Sequence, residues 1–238
     1  MIMSIAENVA RIRAEMDAAA VRCGRDPSEI KLCAATKMND ADAVRQAIAA
    51  GVDCCGENRV QELTQKLAQH AYDGAPVHFI GHLQTNKVKQ VVGKVALIQS
   101  VDSLRLLSAI DAEARKQGIV QDILLEINIG QEESKSGFRE EEILPLLEKI
   151  GDFPNICVKG LMAIPPISQN SGDNLKYFQK ISHLSVDIKA KKYDNVTVKC
   201  LSMGMSGDYQ DAIRCGSTMI RIGTAIFGAR DYAKIHQR

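Results

Sequence analysis

The chain has 238 residues, which is enough for one large domain or two small ones. Its net charge of +1 gives no basic field for nucleic acid, and aromatic residues, at 4% with no tryptophan, offer few surfaces on which bases could stack. No apolar stretch approaches the roughly 20 residues that a membrane-spanning helix needs, so neither nucleic acid nor a membrane is an expected partner.

The N-terminal segment, residues 1–24, predicts an amphipathic helix. Its charged residues recur at intervals that leave one apolar stripe, and they interrupt the uncharged stretch that a signal peptide requires. The seven cysteines include no C-x-x-C pair, and their odd number is typical of a reduced chain. We therefore expect a cytoplasmic protein.

Short runs of β-forming residues alternate with longer segments of helical spacing. The eight runs lie at 30–37, 52–58, 77–81, 96–102, 122–130, 156–165, 198–204 and 219–223. The helical segments between them lie at 40–50, 59–70, 84–92, 103–117, 139–151 and 173–191. This alternation predicts a parallel α/β protein, and eight strands favour a (β/α)8 TIM barrel over an open doubly wound sheet. We expect residues 1–238 to form one such domain with an extra N-terminal helix.

Barrels of this kind carry their chemistry at the carboxyl ends of the strands. Polar groups lie at or just after the ends of most of the predicted strands: Lys37, Asn58, His82, Asp102, 134–138, 202–206 and 221–224. We expect these groups to line a common mouth.

Lys37 ends the apolar run LCAATK, where a buried strand opens onto a loop. Apolar surroundings disfavour a charged amine, and a neutral lysine forms a Schiff base with a carbonyl compound. The carbonyl would belong either to a keto substrate, as in barrel aldolases, or to permanently held pyridoxal phosphate. The alternative is a lysine whose amine simply reaches solvent.

Two glycine-containing loops predict a phosphate site. Gly204, Ser206 and Gly207 precede a helical pattern, and Gly223 and Thr224 follow the last strand. Backbone N–H groups of the loops after strands seven and eight commonly bind phosphate in barrels, and hydroxyl groups add donors. The alternative is that these glycines only form turns.

Arg221 lies within the last predicted strand, on the same face as Gly223. An arginine among isoleucines requires a partner, which could be a ligand nitrogen or carboxylate, or an internal acid such as Glu126. A lysine, a phosphate site and an arginine together suit pyridoxal phosphate, whose ring nitrogen needs an acidic or arginine neighbour.

Several longer motifs make the chain resemble a known family. AATK, GEN, HFIGHLQTNK, INIGQEESKSGF, GLMAIPP, LSMGMSGDYQDAI and GSTMIRIGTAIFGARDY occur between residues 31 and 232. They are similar to segments of the YggS/PROSC family of pyridoxal phosphate homeostasis proteins. The resemblance implies a barrel similar to the N-terminal domain of alanine racemase, of the same fold type.

The resemblance also implies roles for individual residues. Lys37 corresponds to the lysine that holds the cofactor covalently as an internal aldimine, and Arg221 to the partner of the pyridine nitrogen. The other implied cofactor contacts are Asn58, His82, Met203, Ser206, Gly223 and Thr224. Met203 could equally fill the core. The chain departs from the family pattern at Arg59, where a tyrosine is expected.

The same features favour a carrier over an enzyme. Arginine cannot accept the ring proton, so it makes the cofactor a weaker electron sink than an acidic neighbour does. Alanine racemase needs a second base, a tyrosine from an additional domain for which this chain has no room, and only Tyr209 lies near the phosphate loop. We expect no robust catalysis and no metal site. The alternatives are a pyridoxal phosphate-dependent racemase and a cofactor-free aldolase using Glu126.

The expected partners are therefore few. Pyridoxal phosphate is the ligand, apo-enzymes that need it are possible receivers, and the free-standing barrel of the family suggests a monomer.

Overall fold

A computed structural model describes residues 3–132, 135–167 and 170–228. It contains eight parallel strands that pair in chain order and close into one barrel, because the last strand pairs with the first. The strands are β1 Lys31–Ala35, β2 Cys54–Glu57, β3 Val77–Phe79, β4 Leu97–Val101, β5 Gln121–Ile127, β6 Ile156–Ala163, β7 Val196–Ser202 and β8 Met219–Ile222. The predicted TIM barrel is confirmed, and all eight predicted strands are present.

Helices cover the outside of the barrel. They are α1 Ile5–Arg22, α2 Ala41–Ala49, α3 Val60–Ala68, α4 Leu104–Gln117, α5 Glu140–Glu148, α6 Leu175–Lys191, α7 Tyr209–Arg214 and α8 Thr224–Phe227. Short 3-10 helices lie at Pro27–Glu29, Thr85–Gln90 and Ile150–Asp152. No helix in the described part of the chain is long and apolar enough to cross a membrane.

The extra N-terminal helix is confirmed as α1. Ser4 and Glu7 form a reciprocal capping box at its start, with the Glu7 amide donating to the Ser4 hydroxyl over 3.2 Å. Val9, Ile12 and Met16 are buried along one side, which faces α2, α7 and α8. This helix therefore lies across the place where the barrel closes.

One predicted helix has a different form. The segment 84–92 contains the 3-10 helix Thr85–Gln90 and no α-helix. Val88 is the only buried residue of this 3-10 helix, and Val91 and Val92 are buried just after it. The buried apolar residues therefore extend over about one helical turn. An α-helix gains its stability mainly from a longer apolar face, which this connection lacks.

Side chains alternate between the inside of the barrel and the helix layer. On β1, Leu32 and Ala34 join the large outer core, whereas Cys33 packs inside with Cys54 and Met219. The inside also holds several buried polar side chains: His78, Gln99, Ser202 and Arg221. The carboxyl end of the barrel is thus polar above a narrow apolar layer.

Candidate active site

The ends of β8, β1 and β2 lie side by side and bring the predicted residues together. The Thr36 amide donates to the Gly56 carbonyl over 2.8 Å, which joins β1 to β2. A Cβ atom on Gly223 would lie 3.5 Å from Ala35, which places the loop after β8 against β1. Lys37 follows β1 by two residues and is half-buried. Lys37 therefore lies at the carboxyl end of the barrel, beside the ends of β8 and β2.

Arg221 points into the barrel and is only 5% exposed. Its guanidinium donates to the Ser202 carbonyl over 2.7 Å, to the Ser202 hydroxyl over 2.6 Å and to the Ala163 carbonyl over 3.0 Å. Burial lowers the pKa of the Arg221 guanidinium from its very high ordinary value. No carboxylate among the described residues lies within ion-pair distance of it, so the alternative of a salt bridge to Glu126 is not formed. Arg221 is a buried cation held by neutral groups.

Glu126 lies on β5 in the same interior. Burial raises the pKa of its carboxyl to about 7, repulsion from Asp102 adds to the rise, and Arg221 partly offsets it. Near neutral pH the carboxyl group is therefore divided between its charged and uncharged forms.

Replacing Glu126 by glutamine tests this titration. In the wild type the raised pKa gives the folded state an extra proton between about pH 4.5 and 7, so the free energy of unfolding falls as pH rises through that window. We expect the Glu126→Gln variant to be more stable than the wild type by about 1–2 kcal/mol at pH 8 and equally stable at pH 4.5. Urea unfolding at the two pH values measures this.

The matched control is Glu148→Gln, because the Glu148 side chain is 64% exposed. We expect that change to have the same small effect at both pH values. A Glu126→Gln variant no more stable than the wild type at pH 8 would contradict the raised pKa.

His82 lies at the rim after β3, the strand that follows β2 around the barrel. Its Nδ1 atom is 3.0 Å from the Asp102 carboxylate and 3.4 Å from the Ser136 hydroxyl. The His82 side chain is 61% exposed, whereas that of Asp102 is 8% exposed. These contacts tie β3, β4 and the loop after β5 together at the predicted mouth.

The loop after β7 has a fixed shape. Gly204 has φ +97°, and a Cβ atom there would lie 2.6 Å from the Ala212 side chain, so only glycine fits. The Asp208 carboxylate accepts the Met205 amide over 2.7 Å and the Asn174 side chain over 2.8 Å. These bonds hold the chain on both sides of Ser206.

Ser206 and Thr224 provide the predicted hydroxyl donors. Both residues are exposed, and neither hydroxyl bonds to another described residue. Thr224 begins α8 directly after Gly223, and the first amides of a helix have no partner within it. Two free hydroxyls beside open backbone amides fit the predicted phosphate site.

Asn58 carries a polar atom that has no partner. Its Oδ1 atom is buried and accepts no hydrogen bond from the described residues. A buried acceptor without a donor is costly, so this atom is suited to accept a hydrogen bond from a ligand. Asn58 directly follows β2, as the sequence predicts.

Met203 and Tyr209 both have partners within the protein. The Met203 side chain is 0% exposed within the outer core, its amide donates to Met219, and its carbonyl accepts the Ser217 hydroxyl. The Tyr209 hydroxyl donates to Glu15 on α1. Met203 therefore fills the core, and its contact with the cofactor stays a prediction.

Cys33, Cys54 and His78 bring possible metal-ligating atoms within 4.8 Å of one another inside the barrel. A hydrogen bond with Cys33 and burial raise the pKa of the Cys54 thiol, and burial lowers that of His78 to about 4. The Gln99 amide nitrogen lies 2.9 Å from His78 Nδ1. Cys33 and Cys54 also pack with Met219 in an apolar cluster, so they belong to the interior packing of the barrel.

Two further expectations concern the rim. Arg59, in place of the expected tyrosine, is exposed and lies 3.8 Å from Glu62. In the loop after β5, Ser134 lies outside the described residues, and the Lys135 amine donates to Glu132 over 2.6 Å. Both cations therefore bind acidic neighbours on their own segment.

Sequence reasoning missed one group beside the site. Glu57, the central residue of the GEN motif, is 0% exposed and binds the equally buried Lys66 over 2.7 Å. The sequence placed Lys66 on a helix, where a lysine is usually solvated. The one available signal was that Lys66 recurs three residues after Leu63, on the buried side of α3.

Comparison with known proteins agrees with this geometry. The family model described as "Alanine racemase, N-terminal domain" matches residues 4–231. A protein of Aquifex aeolicus named "Pyridoxal phosphate homeostasis protein" is 41% identical over 97% of this chain and 100% of its own length. An Escherichia coli K12 protein of the same name is 39% identical over 97% of this chain and 98% of its own length.

A solved structure shows the same fold with a ligand. PipY of Synechococcus elongatus, described with PLP bound, has a TM-score of 0.82 and 29% identity, and the match covers 94% of this chain and 100% of that chain. A second structure of PipY is described as lacking PLP.

Proposed function

We propose, from the premise that this chain belongs to the family of pyridoxal phosphate homeostasis proteins, that it holds pyridoxal 5′-phosphate in the barrel mouth and buffers or delivers it. The observation that carries the proposal is the position of Lys37 at the end of β1, beside β8 with its buried Arg221. A covalent amine site and a site for the ring nitrogen thus share one side of the mouth.

The described residues fit the parts of this cofactor. The orphaned Oδ1 atom of Asn58 can accept a ligand hydroxyl, and Ser206, Gly223 and Thr224 would hold the phosphate. Arg221 would face the ring nitrogen with a group that cannot take its proton. His82 would line the rim after β3.

Lys37 would hold the ligand through its amine, which would condense with the ligand aldehyde and release the aldehyde oxygen as water. When bound, the cofactor supplies a reactive carbonyl and an electron-accepting ring. Reversal by water or by another amine would release it to a receiver.

Several observations support a carrier over a robust enzyme. The relatives are named homeostasis proteins. The hydroxyls of Tyr72 and Tyr209 bind Glu57 and Glu15, so neither offers the second base of a racemase at the mouth. All seven cysteines are free, which supports a reducing compartment such as the cytoplasm. Delivery to apo-enzymes and a monomeric state complete the proposal.

Replacing Lys37 by alanine tests the proposal. We expect the purified wild type to be yellow, and borohydride followed by mass spectrometry to place the ligand on Lys37. The Lys37→Ala variant should lose the visible band and bind the cofactor at least tenfold more weakly. The control is Lys31→Ala, at the opposite end of β1, where the lysine is 55% exposed. It should keep the band.

A wild type that stays colourless with added pyridoxal phosphate would contradict the proposed ligand. Rapid racemisation of an amino acid by the pure protein would instead contradict the carrier role.

A further inference from the structure

A buried charged network lies directly behind Lys37. We name it the Lys66 network, and its members are Thr36, Glu57, Glu62, Lys66 and Tyr72. The Lys66 ammonium donates to the Thr36 carbonyl over 2.8 Å, to Glu57 over 2.7 Å and to Glu62 over 3.2 Å. The side chains of Lys66 and Glu57 are only 7% and 0% exposed. The network is therefore shielded from water.

Glu57 joins this network to the end of β2. One carboxylate oxygen accepts the hydroxyls of Thr36 and Tyr72, both over 3.1 Å. The other accepts the Asn58 amide over 2.9 Å. Four donors thus surround the Glu57 carboxylate. Two of them concern the ligand site, because Thr36 precedes Lys37 and Asn58 is itself assigned to that site.

Glu62 joins the network to the other side of Lys37. Its carboxylate accepts the Met38 amide over 2.7 Å. Met38 has φ +64°, a left-handed conformation that costs free energy in a residue other than glycine. Asn39 adds a hydrogen bond to the Lys37 carbonyl over 3.1 Å. The strained turn after Lys37 is therefore held by the charge of Glu62.

The backbone is consequently fixed on both sides of one residue. The Thr36 carbonyl precedes Lys37 and is bound by Lys66, while the Met38 amide follows Lys37 and is bound by Glu62. A buried ion pair is a poor source of net stability, because desolvation offsets most of its attraction. The network binds the peptide groups on both sides of Lys37, which indicates that it fixes the backbone conformation there.

We propose that Lys66 and Glu62 are positioning residues for Lys37. They hold the Thr36–Met38 backbone in the conformation that presents the Lys37 amine to an aldehyde ligand. This inference rests on the proposed function, since it assumes that Lys37 reacts with the ligand. It predicts that the network controls the covalent part of binding and leaves the phosphate contacts, which lie in the loops after β7 and β8, unchanged.

Two ligands separate these parts of binding. Pyridoxal phosphate can react with Lys37, whereas pyridoxamine phosphate has the same ring and phosphate but no aldehyde. Glu62→Ala removes the acceptor of the Met38 amide. The Glu62 side chain is 19% exposed, and Lys66 keeps its ion pair with Glu57, so the change leaves no isolated charge in the core. Lys66 is a harder target, because its loss would strand Glu57.

We expect Glu62→Ala to weaken pyridoxal phosphate binding about tenfold, the usual effect of losing one hydrogen bond to a charged group. Pyridoxamine phosphate binding should change less than twofold. Glu62→Gln keeps an oxygen for the Met38 amide and should recover part of the loss. The control is Gln61→Ala, the exposed neighbour on α3, which should match the wild type with both ligands.

Each result has a distinct meaning. Equal weakening of both ligands by Glu62→Ala, together with a lower melting temperature, would overturn the proposal in favour of a merely structural role. Unchanged binding of both would overturn it as well. A wild type that shows no borohydride-trapped ligand on Lys37 would instead disprove the proposed function, whatever the variants do.

Discussion

Replacing Lys66 by methionine should lower the free energy of unfolding by about 3–5 kcal/mol, the usual cost of removing one partner of a buried ion pair. Methionine preserves most of the lysine stem, so the loss reports the missing charge and not a cavity. Glu57, with no exposed surface, would keep its carboxylate without a cation. Urea unfolding at pH 7.5 measures the change.

A double variant provides the control. Glu57→Gln keeps acceptor capacity for Thr36 and Tyr72 but carries no charge. The Lys66→Met/Glu57→Gln protein should therefore be less destabilised than the sum of the two single variants, by about 1–3 kcal/mol. Additive effects would mean that the two residues contribute separately.

Strand positions and most mouth residues follow from the sequence for a common physical reason. Alternating β-type runs and helical segments leave few arrangements other than a parallel barrel, and a parallel barrel places every strand end at one mouth. That rule alone places Lys37, Asn58 and His82 at this end. The two loops containing Gly204 and Gly223 follow from the same rule, because they come after the seventh and eighth strands.

The residues that sequence reasoning missed depend on contacts between distant segments. Lys66 looks like a solvated charge on α3, and only the packing of that helix against β1 and β2 gives it buried acceptors. Met203 directly follows β7, and its buried side chain packs in the outer core. Periodicity fixes which residues share a face, whereas the direction of a side chain beyond a strand end depends on the loop.

Gly81 gives the second large effect, because it touches the site through the backbone. A Cβ atom on Gly81 would lie 2.1 Å from the Asn58 carbonyl oxygen and 2.6 Å from its Cα atom. Backbone atoms cannot rotate away as a flexible side chain does, so the end of β2 must move. The Ser100 hydroxyl also donates to the Gly81 carbonyl over 2.5 Å, so a movement of Gly81 would cost this hydrogen bond.

We therefore expect Gly81→Ala to lower the free energy of unfolding by about 2–3 kcal/mol, the upper range for overpacking. It should also weaken pyridoxal phosphate binding at least tenfold, because it displaces Asn58, whose buried Oδ1 atom has no donor among the described residues. Urea unfolding and a spectroscopic titration measure the two effects separately.

The control is Gly151→Ala, since a Cβ atom on Gly151 would meet no atom within 4 Å. That change should alter the free energy of unfolding by less than about 0.5 kcal/mol, and ligand binding should stay as in the wild type. If Gly81→Ala lost stability but bound the ligand normally, the β2 end would tolerate displacement and Asn58 would not contact the ligand. Loss of binding with intact stability would mean that Gly81→Ala shifts only Asn58 and leaves the rest of the fold as it is.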